Sequence, residues 1–178
     1  MTHKELLSRL VEEGIEFVVI GGTALRLYNS PRVTHDIDLA VSVLDVDPIL
    51  ALMYRLGYRL ITAVGDEYLT TCRTVAEAAA WVEREKPGSM SFVDCPQEEA
   101  PQVPFDRVDV SSQVDFLFEL SIPTAQLRHN ARRVEIPGLS FLVASVDDLI
   151  RLKEARRERD AADEDDLRYL RALKAEDA

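Results

Sequence analysis

The chain has 178 residues, 47% of them hydrophobic, which suffices for one domain with a proper core and perhaps one small helical appendage. Its 32 acids outweigh its 21 bases to leave a net charge of −11, which argues against a broad nucleic-acid-binding surface, because phosphate neutralisation supplies most of that affinity. No apolar run approaches the roughly 20 residues that cross a bilayer and no charged-then-apolar leader opens the chain, so a cytoplasmic location without membrane contact is the default expectation.

Thr2-His3-Lys4-Glu5 has the form of a capping box, and Leu6, Leu7, Leu10 and Val11 follow at helical spacing until Gly14 stops the helix. Ile15 to Ile20 reads as a buried strand. It ends in Gly21-Gly22, which free the backbone to turn tightly and approach a ligand, and a helix starting near Thr23 points its N–H groups at that turn. A triphosphate suits such a place, with Thr23 either donating to a phosphate or capping the helix. The next strand, about Asp36 to Val43, alternates so that Asp36 and Asp38 share one face while Ile37 and Leu39 share the other. Arg32 and Thr34 have the parity of Asp36. Arg32 is then placed to contact a phosphate and Thr34 to orient Asp36, with local loop bonding as the alternative for both; His35 falls on the opposite face.

Asp47-Pro48 opens a helix through Leu56 that Gly57 ends, and Tyr58 to Ala63 reads as a strand. Thr74-Val75-Ala76-Glu77 is a second capping box, leading an Ala-rich helix with Trp81 to Lys86-Pro87-Gly88. Ser89 to Val93 is a further strand. Asp94 to Phe105 holds three prolines and reads as a surface loop, either a lid or acceptor-recognition loop or a plain insertion. Val108 to Leu120 covers one or two strands. Within it Asp115 is one acid in an otherwise apolar run and Asp109 is its competitor as a third carboxylate.

Arg128, Arg132 and Arg133 make a basic cluster before a strand. Pro137-Gly138 is a turn, Leu139 to Ala144 a short strand, and Ser145 caps the penultimate helix. Arg151, Lys153, Arg156, Arg157 and Arg159 cluster along that helix, as a basic patch or as a solvated face paired with Glu154, Glu158 and Asp160. The acidic run near Asp163 to Asp166 approaches low complexity. The order of elements is an α/β (α+β) pattern: a short mixed β-sheet flanked by helices over 1–144, with a C-terminal helical segment over 145–178 packed on it. Cys72 and Cys95 form neither a Cys-x-x-Cys pair nor a His cluster and are expected as reduced thiols.

Two carboxylates a residue apart on one strand face can share a divalent cation, and a glycine turn beside them can hold a triphosphate. Phosphoryl and nucleotidyl transfer need that combination, because the protein's task is to position an in-line attack and neutralise charge on the phosphate oxygens. A Gly-Gly turn alone is an ordinary turn, and a chance Asp-x-Asp is expected among so many acids; the conjunction carries the argument.

The segment resembles the signature of the nucleotidyltransferase superfamily shared with DNA polymerase β, matched at Gly21, Gly22, Asp36 and Asp38. Arg32-x-Thr34-x-Asp36-Ile37-Asp38-Leu39 is similar to the small bacterial and archaeal branch that includes abortive-infection nucleotidyltransferase toxins. The resemblance implies a minimal nucleotidyltransferase fold that moves a nucleoside monophosphate from an NTP to an acceptor hydroxyl, with Mg²⁺ or Mn²⁺ held by Asp36, Asp38 and Asp115. It also implies a phosphate-stabilising Lys, which Lys153 fills, followed by an Arg-x-x-Asp-like pattern resembled by Arg157-Glu158-Arg159-Asp160. The implied acceptor is a tRNA 3′ end or a protein hydroxyl, and the implied partner an antitoxin. The stretch from about Asp66 to Phe105 has no counterpart in that family, and Gln126 to Arg133 is more basic than the motif requires. The alternative is an inactive nucleotide-binding or protein-docking module on the same fold.

Overall fold

The computed structural model describes residues 1–95, 101–156, 158 and 160–176, the side chains at 110 and 111 excepted. Helix α1 (His3–Glu12) starts at a complete capping box: the Thr2 hydroxyl accepts from Glu5 N, and the Glu5 carboxylate accepts from Thr2 N at 2.8 Å. It buries Leu6, Leu7 and Leu10. Strand β1 (Phe17–Ile20) is buried at all four positions, and helix α2 (Gly21–Leu27) follows without a linker. Next come β2 (Ile37–Val41), α3 (Val46–Arg55), β3 (Tyr58–Val64), β4 (Tyr68–Thr71), α4 (Val75–Glu85), β5 (Ser89–Asp94), β6 (Gln102–Pro104), β7 (Asp109–Leu117), α5 (Thr124–Asn130), β8 (Arg132–Ile136), β9 (Leu139–Val143), α6 (Val146–Glu154) and α7 (Ala161–Glu176).

The sheet is mixed, as expected, but long, with the order β6-β4-β3-β5-β7-β2-β1-β9-β8. Only β1–β9 and β2–β7 are parallel. β1, β2 and β7 are central, and Val19, Ile37, Leu39 and Phe116 share one face of them with no exposure. A second, smaller core joins Leu69, Val93, Cys95, Val103 and Val108, with Ile61 and Phe105 packed on it.

Four elements were not expected. Strand β4 and the three-residue β6 add an edge to the stretch read as featureless or as loop; their pairing with β3 and with each other supplies what so few residues cannot signal locally. Helix α5 and strand β8 occupy the basic stretch, where Arg132 and Arg133 are tolerated because β8 is an edge strand. The basic cluster expected along one helix runs past its end, because α6 stops at Glu154 and the final helix starts at Ala161. Asp160 Oδ1 accepts from Asp163 N at 2.8 Å, so Asp160 caps a new helix, α7, instead of continuing α6. Residues 96–100 of the proline-containing loop, and Arg157 and Arg159, lie outside the described residues.

Candidate active site

Register brings the distant motifs together. Ile20, the last residue of β1, pairs with Asp38 on β2, and Asp38 pairs with Asp115 on β7. The glycine turn, Asp38 and Asp115 therefore stand side by side on neighbouring strands. Asp109 sits at the opposite end of β7, across from Asp94, and takes no part in this grouping.

Gly21 has φ +62, in the left-handed region that only glycine enters freely. A Cβ there would fall 1.8 Å from Asp38 Oδ2, so the missing side chain is the space that the carboxylate occupies. At Gly22 a Cβ would meet Thr34 Oγ1 at 2.8 Å. Gly21→Ala thus combines about 1–2 kcal/mol of backbone strain with displacement of a carboxylate. We expect transfer by the Ala variant to fall about 100-fold, as for other small misplacements of reacting groups, while far-UV circular dichroism stays native.

Asp36 precedes β2 and is fixed twice from nearby. The Thr34 hydroxyl donates to its carboxylate, and Thr23 Oγ1 donates to its carbonyl at 2.9 Å. The Thr23 side chain therefore anchors the Asp36 backbone and does not cap α2. Burial pushes the Asp38 carboxyl up to about 6, with Asp115 and then Asp36 adding repulsion and Arg156 and Lys153 opposing it. Asp115 is also raised by burial, against hydrogen bonds from Ser91 and Gln113. The Gln113 amide donates to both Asp115 oxygens at 3.1 and 3.0 Å.

Crowded, partly desolvated carboxylates without enough cationic charge to balance them have the electrostatics of a divalent-cation site, and oxygen-only donors suit a hard ion. Among the described residues no three His, Cys, Asp or Glu side chains are already gathered round one metal position.

A cavity of about 260 Å³ opens beside this group. Gly21, Asp38, Lys153 and Arg156 line its polar side, and Leu117, Leu120, Leu149 and Leu152 its apolar side. Lys153 is buried, and its ammonium lies 2.9 Å from Asp163 Oδ1 and 2.7 Å from Asp166 Oδ2. Arg156 binds Asp163 at 2.9 Å, and Arg32 pairs with Asp166. Cations and carboxylates thus alternate from Arg32 through Asp166, Lys153 and Asp163 to Arg156. Asp163 and Asp166 are the site residues that reading the sequence missed. Their signal was present in the spacing of Asp163, Asp166, Leu167 and Leu170, which marks the buried face of α7.

Among proteins of curated function none matches the sequence significantly. The lincosamide antibiotic adenylyltransferase LnuA, solved with lincomycin bound, superposes with a TM-score of 0.56 over 97% of this chain and 98% of its own, at 10% identity. That likeness shows the fold. A Thermotoga maritima protein described as a nucleotidyltransferase aligns over 83% of this chain and 78% of its own, with 14% identity and a TM-score of 0.48. The family model for the nucleotidyl transferase AbiEii toxin of type IV toxin–antitoxin systems matches residues 5–163. With the glycine turn, the paired strands β1, β2 and β7 and helix α6 all inside that match, the chain belongs to the AbiEii family of nucleotidyltransferase toxins.

Proposed function

We propose that this nucleotidyltransferase moves a nucleoside monophosphate from an NTP to an acceptor hydroxyl in a metal-dependent reaction centred on Asp36, Asp38 and Asp115. The observation that carries the reading is the register Ile20–Asp38–Asp115, together with the space that Gly21 leaves for the Asp38 carboxylate.

Gly21 and Gly22, with the backbone N–H groups around Thr23, cradle the triphosphate. Asp36, Asp38 and Asp115 would hold the cation or cations. When bound, Mg²⁺ or Mn²⁺ supplies neutralisation of phosphate charge and a lowered pKa for the attacking hydroxyl. The acceptor oxygen forms a bond to the α-phosphorus, the bond from that phosphorus to the α–β bridging oxygen breaks, and pyrophosphate leaves. The hydroxyl proton passes to solvent. Lys153 and Arg156 face the leaving phosphates from the cavity wall, and Arg32 supports Lys153 through the carboxylate they share. Thr34 holds Asp36 in place. The family's type IV toxin–antitoxin setting supports an antitoxin partner, and by resemblance the acceptor hydroxyl belongs to a tRNA 3′ end or a protein. LnuA, a lincosamide antibiotic adenylyltransferase of similar fold, extends the candidates to small molecules.

The test is incubation with each α-labelled NTP, Mg²⁺ and cell lysate, beside the Asp36→Asn, Asp38→Asn double variant. Label transferred by the wild type alone is the expected result. Equal labelling by both proteins would exclude a role for the two carboxylates.

A further inference from the structure

A second recess, of about 320 Å³, lies on the other side of Asp115 from the glycine turn. Its floor includes Ser91, which pairs with Asp115 across β5 and β7, and Gln113, whose amide holds both Asp115 oxygens. Its walls are Ile61 on β3, Leu69 on β4 and Phe105, all three part of the second core or packed on it. We propose that this recess receives the acceptor, and that the acceptor is an uncharged, hydroxyl-bearing molecule of low mass. The inference rests on the transferase reading and names the substrate class for that same site.

Position supports it first. In-line displacement places the attacking and leaving oxygens on opposite sides of the phosphorus. With the triphosphate at the β1–α2 turn, the attacking hydroxyl arrives across Asp115 from the side of β5 and β3, where the recess lies.

Chemistry then sets the class. None of the described residues lining the recess is charged: hydroxyls such as that of Ser89 and the Gln113 amide face apolar walls. The cavity on the other side of Asp38 contrasts with it, being lined by Lys153 and Arg156. A polynucleotide brings a phosphate with every residue, and its affinity comes from cations that this recess lacks. A compact molecule with an apolar face and hydroxyl groups finds an apolar wall and neutral hydrogen-bonding partners, and the volume is at the low end of small-ligand sites.

Ala63 lines the recess and is exposed, so Ala63→Lys adds a cation without disturbing the core. The full chain is incubated with Mg²⁺ and labelled NTP, and offered in parallel total tRNA, a protein fraction, and a metabolite extract ultrafiltered free of both. The expected result is label in a low-mass product that resists ribonuclease and protease. Phe105→Ala and Ala63→Lys are each expected to raise the apparent KM for the extract at least about tenfold, the equivalent of about 1.4 kcal/mol, with NTP affinity unchanged. Label in tRNA or protein, or an Ala63→Lys variant that improves transfer with a steeper salt dependence, overturns the acceptor assignment and leaves the transferase reading standing. Metal-dependent NTP binding that survives Asp36→Asn, Asp38→Asn overturns both.

Discussion

Replacing Asp38 by Asn is expected to abolish transfer and, at neutral pH, to make the metal-free protein more stable. The loss of activity follows from removing the central carboxylate of the proposed cation site. We expect at least about 10³-fold, equivalent to about 4 kcal/mol of transition-state stabilisation. The gain in stability follows from the displaced carboxyl pKa. An unfolded chain ionises Asp38 near the ordinary carboxylate value of 3.8 and the folded chain at about 6. Between those values the folded state holds the extra proton, so stability falls as pH rises through the window and stays low above it. About two pH units at about 1.4 kcal/mol each set an upper bound of about 3 kcal/mol on the cost. Urea unfolding of wild type and Asp38→Asn should therefore coincide near pH 4 and diverge in the variant's favour by pH 7. Added Mg²⁺ and NTP should stabilise only the wild type. A gap that does not widen with pH would show that Asp38 is not held among uncompensated carboxylates.

Lys153→Met is the second large expectation, and its stability effect has the opposite sign. Lys153 is buried between Asp163 and Asp166, themselves buried, and removing it leaves two carboxylates short of charge. Breaking a buried pair from one side typically costs about 3–5 kcal/mol. Arg156 and Arg32 still hold one carboxylate each, so we expect about 3 kcal/mol, or roughly 6–12 °C in Tm for a chain of this size. Burial raises the Asp163 carboxyl, but Lys153 and Arg156 outweigh burial and hold it below the ordinary range. A depressed carboxyl contributes stability above its unfolded value that is lost as pH falls through the folded one. The gap between wild type and Lys153→Met should accordingly narrow below about pH 4. Adding Asp163→Asn and Asp166→Asn to Lys153→Met should restore most of the stability while leaving transfer impaired. Restored transfer would mean that Lys153 only offsets those two acids.

The glycine turn, the Asp36–Asp38 pair, the family and the mixed α/β character were legible in the sequence, because each is written in local terms: period-two alternation, a capping box, a glycine where φ is positive. Lys153 was picked out by family resemblance, yet its environment was not, since the acids that hold it belong to a helix whose separate existence depends on the Asp160 cap. The run from Asp163 to Asp166 looked like solvated low complexity because a buried carboxylate and an exposed one are the same letter. The apolar run around it favoured Asp115 over Asp109 as the third carboxylate, but both are acids in one extended segment, so Asp109 stayed its competitor. The parallel pairing of β2 with β7 separates them by setting Asp115 against Asp38.

By itself, then, the sequence determined the chemistry available: a strand that turns at two glycines, carboxylates of matched parity beside it, and too little positive charge for a broad polyanion surface. Tertiary structure alone decided which carboxylates meet, that Lys153 is shared between two acids, and that β3, β4 and Phe105 wall a neutral recess beside Asp115. Those outcomes depend on pairings between strands far apart in the chain. A strand of three or four residues carries too little local preference to announce itself, and its place is set by the neighbours it bonds to.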